Sequence, residues 1–126
     1  MMHLIYVALG GALGAGGRHL VGLASLRLFG AGFPIGTFIV NIVGSFLMGV
    51  LIAFLAKKGG ASSAEWRLFL ATGVLGGFTT FSAFSLDAVL LWERGQTSSA
   101  IFYVLGSVVL SILALMAGLM LVRAAS

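Results

Sequence analysis

The chain predicts an all-α membrane protein with four transmembrane helices, and three observations lead there. Hydrophobic residues make up 60% of its 126 residues and charged residues only 8%, too few to cover a water-soluble surface. Four apolar stretches follow one another, each as long as the ~20 residues a helix needs to cross hydrocarbon. The few charges fall mostly at the ends of those stretches. Backbone groups cannot stay unpaired in lipid, so the spans are expected as helices or as backbone shielded by helices. Residues 1–126 read as a single four-helix transmembrane domain, with no room for a water-soluble catalytic part.

The first span covers about residues 4–28. Only Met1, Met2 and His3 precede it, so it lacks the positive start of a secretion signal and is expected to be retained. Gly10, Gly14, Ala15 and Gly17, with Ala12 and Gly16 four apart, form a small-residue packing pattern. The second span covers about 34–56. Pro34 opens it, because a first-turn proline sacrifices no hydrogen bond. Lys57, Lys58, Gly59 and Gly60 close it.

The third span covers about 65–92. Ser62 or Ser63 offers a cap, and Glu65 sits near the positive end of the helix dipole. Gly73, Gly76 and Gly77 then precede Phe78-Thr79-Thr80-Phe81-Ser82. Glycines weaken a helix, so a break at mid-membrane is expected near 76–80. Non-helical backbone at that depth is tolerated only inside protein or beside water, which marks this segment as functional. A glycine-rich packing face on a straight helix is the competing reading. The fourth span covers about 98–122, with Thr97 or Ser98 as cap and Arg123 at its close.

Several functions are excluded. There is no cysteine, hence no disulfide, iron–sulfur cluster or thiolate metal site. His3, His19, Glu65, Asp87 and Glu93 are scattered, which argues against a zinc or di-iron site and against an enzyme's paired acids or nucleophile–base pair. The net charge is +4, but the basic residues are dispersed. They suit lipid head groups and not nucleic acid. Lys57, Lys58, Arg67 and Arg123 fall on one side of the membrane; Arg27, Arg94 and, by snorkelling, Arg18 fall on the other. So balanced a count fixes no single orientation. It accords with an antiparallel dimer, the closed two-fold pair being the default oligomer.

Polar residues within the spans form rows. Thr37, Asn41 and Ser45 are spaced i, i+4, i+8, as are Tyr103, Ser107 and Ser111, so each set shares a helix face. Thr79, Thr80, Ser82 and Ser85 surround Phe81 and Phe84. All are neutral and able to donate hydrogen bonds. Neutral donors suit a small anion that must bind and then leave. Phenylalanine edges, positive through the ring quadrupole, add weak attraction. Interhelical glue worth about 0.6 kcal/mol per bond is the alternative. Two rows, an in-span asparagine and the expected break favour a polar pathway. Arg18 is an in-span charge, either functional or an interfacial anchor.

The string Gly76-Gly77-Phe78-Thr79-Thr80-Phe81-Ser82-Ala83-Phe84-Ser85 closely resembles the G-G-x-T-T-F-S-x-F-S signature of the Fluc (CrcB) fluoride channels. Gly10-Gly11-Ala12-Leu13-Gly14 with Arg18, the segment from Gly36-Thr37 through Asn41 to Gly44, and Tyr103, Ser107 and Ser111 resemble the family's other helices in the same order. The resemblance implies a dual-topology, antiparallel homodimer in the cell inner membrane, with two pores that export cytoplasmic fluoride. Fluoride enters cells as the weak acid HF and dissociates inside, so a passive channel suffices. Phe81 and Phe84 would be the paired pore rings and Asn41 a fluoride ligand. Tyr103, Ser107 and Ser111 would line a track, with Thr37 and Ser82 beside it and Arg18 in a vestibule. A structural sodium ion would be held by backbone carbonyls of Gly76 and Thr79 from both subunits. Asp87 stands where the family often has glutamate. A small dual-topology, proton-coupled drug exporter is the alternative, but it needs a membrane-embedded acid that the first span lacks.

Overall fold

The computed structural model describes residues 2–60 and 63–125. All four apolar stretches are helical, with ends within two residues of the sequence boundaries: Met2–Phe29, Ile35–Lys58, Ser63–Glu93 and Thr97–Ala124. Each is long and apolar enough to cross a membrane. Gly30, at φ 78°, turns the chain after the first helix. Pro34 then stands just before the second helix, and its carbonyl accepts the Phe38 N–H at 3.1 Å.

Side-chain caps are sparse at the helix starts that the structure describes. Ser63 begins the third span, but its hydroxyl donates backward to the carbonyl of Gly59, at 2.7 Å, closing the second helix. Ser62 lies outside the described residues. Gln96 precedes the fourth helix and makes no side-chain cap, so neither Thr97 nor Ser98 serves as one.

The third span changes winding along its length. Ser63–Trp66 is α-helical, Arg67–Leu75 is a π-helix and Gly76–Phe78 is α-helical again. Thr79 (φ −85°, ψ 160°) and Thr80 (φ −154°, ψ 127°) are extended, and the helix resumes over Phe81–Glu93. The glycines expected to unwind the chain stay helical; Gly76 has φ −63° and ψ −37°. They serve close packing instead. A Cβ on Gly77 would lie 2.6 Å from the Gly11 carbonyl oxygen, and one on Gly73 would lie 2.9 Å from the Gly10 Cα. Thr80 restarts the helix, its hydroxyl accepting the Ala83 N–H at 3.2 Å.

This interruption changes what the third span packs on. Before it, the span lies against the first helix; after it, against the fourth. In the first helix, Gly10 and Gly14 face the span, while Ala12 and Gly16 are exposed. The second helix packs chiefly on the fourth, where a Cβ on Gly49 would collide with the Leu115 carbonyl. Beyond the interruption, Phe84, Leu91, Ala100 and Tyr103 form the buried core, with Phe33 and Phe38 against it. The Phe33 and Tyr103 rings meet edge to face, with centroids 5.4 Å apart.

Candidate functional site

The extended pair Thr79–Thr80 has backbone groups that a helix would have satisfied. Asn41, facing it from the second helix, takes two of them. Its Oδ1 accepts the Thr80 N–H at 2.8 Å and its Nδ2 donates to the Thr80 carbonyl at 3.0 Å. In an unbroken helix the Thr80 N–H would bond to the Gly76 carbonyl, and the Ala83 N–H to that of Thr79. Both donors are turned elsewhere, to Asn41 and to the Thr80 hydroxyl. The carbonyls of Gly76 and Thr79 thereby lose those partners. Gly44 makes the approach of the second helix tenable, since a Cβ there would collide with the Thr79 methyl. Arg18 reaches the same region, where its Nε donates to the Gly77 carbonyl at 3.1 Å. A half-buried charge thus finds a partner inside the bundle.

Beside the interruption runs a groove of about 260 Å³. Asn41 and Ser45 line it from the second helix, Thr79, Thr80, Phe81 and Phe84 from the third span, and Ser107 and Ser111 from the fourth. The hydroxyls of Ser107 and Ser111 are buried yet have no hydrogen-bond partner among the described residues. Buried polar atoms are nearly always paired, so two orphans in one groove point to an occupant that accepts from them. The Phe81 and Phe84 rings stand 5.5 Å apart at 46°. Phe84 is buried, whereas Phe81 is 77% exposed at the bundle surface.

The remaining residues singled out in the sequence fall elsewhere. Tyr103 is fully buried above the groove, 5.2 Å from the Phe84 ring, and its hydroxyl donates to Asp87 Oδ2 at 3.1 Å. Thr37 and Asp87 both line a second recess of about 470 Å³. Ser82 is outside the groove: its exposed hydroxyl lies 3.4 Å from that of Thr80. The partnership of Asp87 with Tyr103 escaped the sequence reading. Its only signal was an acid one helical turn beyond Phe84. Among the described residues no cluster of His, Asp or Glu could hold a metal. A cation here would depend on backbone oxygens.

These features define a multi-pass membrane protein in which a polar, partly aromatic groove lies against an interrupted helix. The chain belongs to the CrcB-like family: residues 5–119 match the family described as "CrcB-like protein, Camphor Resistance (CrcB)". It is 62% identical over 120 residues to the "Fluoride-specific ion channel FluC" of Cereibacter sphaeroides (strain ATCC 17029 / ATH 2.4.9), covering 95% of this chain and 94% of that one. It is 56% identical over 123 residues to the protein of the same name from Mesorhizobium japonicum, covering 98% of each chain. Identity to the Chelativorans sp. (strain BNC1) counterpart is 59% over 123 residues.

Proposed function

We propose that the chain is a fluoride-selective passive channel that exports cytoplasmic fluoride across the cell inner membrane. The named relatives are ion channels, not enzymes. The observation that carries the reading is the pair of orphaned hydroxyls, Ser107 and Ser111, beside Asn41 and the two phenylalanine rings. An anion stripped of water needs donors, and these are neutral. They hold a small, hard ion without trapping it as a buried ammonium would. Asn41 spends one Nδ2 hydrogen on Thr80, and its second is available to an ion in the groove.

The reading includes a homodimer of antiparallel chains with two pores. Phe81 supports it, because a large exposed ring beside a polar groove is only half of a wall. The balanced lysine and arginine count supports insertion in both orientations. It also includes the interruption at mid-membrane and a structural sodium ion on the dimer axis. The carbonyls of Gly76 and Thr79 fit that ion, being hard oxygens released from helical bonding. Two from each chain would hold it, and its charge would add positive potential near the anion path.

Liposomes containing the purified protein and loaded with fluoride should release it within seconds to minutes, while chloride stays inside. Chloride efflux at the same rate would overturn selectivity. No efflux of either ion would overturn the channel. Phe81→Ile should slow fluoride release by about tenfold, the worth of an aromatic contact of up to about 1.5 kcal/mol. Unchanged release would remove Phe81 from the path.

A further inference from the structure

The larger recess, beside the turn between the first two helices, has no part in the reading above. Ser25 lines it from the first helix, Thr37 from the second, Asp87 from the third span and Arg94 from just after that span. Asp87 belongs to one hydrogen-bonded corner with Tyr103, and the Tyr103 ring packs on Phe84, which walls the groove. The recess therefore begins where the groove's row of donors ends, and it runs out to Arg94.

Charge makes this end a problem for an anion. An ion leaving past Tyr103 meets the Asp87 carboxylate. Like charges repel by about 1 kcal/mol at 4 Å in water, and several-fold more where water is scarce. Arg94 lies on the same recess and is not spent on an ion pair. Its Nε donates to the Leu90 carbonyl at 3.4 Å, an ordinary closure of the helix end. No other partner takes its guanidinium among the described residues.

We propose that this recess is the second mouth of the ion path and that Arg94 concentrates the small, hard anion there against the field of Asp87. This rests on the fluoride-channel reading. Arg94 neither lines the groove nor touches an ion within it. It acts through the local potential, so its effect must follow charge and be screened by salt.

The chain has no cysteine, so a single engineered thiol is chemically unique. Arg94→Cys is purified and divided. One part is modified with an ammonium-bearing methanethiosulfonate, the other with a sulfonate-bearing one, and both are reconstituted for fluoride efflux. Because the two samples come from one folded batch, a folding defect affects both equally. At about 10 mM salt the cationic adduct should carry fluoride about two- to fivefold faster than the anionic one, the gap closing near 1 M as the Debye length shrinks. Equal rates at low salt, or a gap that persists at high salt, would overturn the mouth assignment. Arg67→Cys, treated identically, should show a much smaller gap, and an equal one would reduce the effect to general surface charge and overturn it too. Unmodified wild-type protein runs alongside. If it carries no fluoride, the channel reading itself has failed, an outcome distinct from a failure at Arg94.

Discussion

Asn41→Leu is expected to destabilise the protein by about 1–3 kcal/mol, because it strands the backbone N–H of Thr80. The two side chains have the same number of heavy atoms and the same branching, so the substitution opens no cavity. What is lost is the pair of bonds at 2.8 and 3.0 Å that lets the third span leave helical geometry. An unsatisfied N–H within the bundle has no water to turn to. Asn41→Asp divides the effect. A carboxylate still accepts the Thr80 N–H but cannot donate to its carbonyl, and its charge repels an anion in the groove. It should therefore retain more stability than leucine while transporting fluoride no better. SDS titration of the reconstituted protein reads the first quantity and electrode-monitored efflux the second. Were the leucine variant as stable as wild type, Asn41 would not be the support of the interruption.

That clamp also shows where sequence reading reached its limit. The four spans were legible because hydropathy over some twenty residues needs no knowledge of neighbours. The two polar rows were legible because helical spacing alone places i, i+4 and i+8 together, and Asn41, Ser45, Ser107 and Ser111 do meet in one groove. The bonding at Thr79 and Thr80 was not, since it depends on a residue 39 positions away. Glycine content pointed to the right neighbourhood for the wrong reason. Gly73 and Gly77 are small because the backbone of the first helix lies against them, and they remain helical. The π-helix over Arg67–Leu75 carries no sequence period of its own. Ser63 looked like a cap for the helix that follows it, yet the nearer free carbonyl belongs to the helix before it. Ser82 is next to Phe81 in sequence, but consecutive helical residues face different ways, and its hydroxyl is exposed outside the groove.

Ser107→Ala combined with Ser111→Ala separates conduction from stability more sharply than any other change. Serines that glue membrane helices together contribute roughly 0.6 kcal/mol each, and removing two would cost about 1 kcal/mol. These two hydroxyls have no partner among the described residues, so no bond is lost with them. Deleting an unsatisfied buried polar group is neutral to slightly favourable. The double variant should therefore unfold at the same SDS concentration as wild type, or a higher one. Fluoride flux should fall by about a hundredfold or more, because bonds to a charged group are worth about 1.5–3 kcal/mol each and the dehydrated ion would forfeit two of them, about 3–6 kcal/mol in all. Each single variant should fall between. The opposite pattern, lost stability with intact flux, would make the row interhelical glue after all. The wall opposite the serines would then have to supply every donor, and it offers only the Asn41 amide and the Ser45 and threonine hydroxyls. Of these, Thr79 already donates to the Leu75 carbonyl at 3.0 Å. The fourth helix supplies the two buried hydroxyls that have no partner among the described residues, and the proposed anion path runs along it.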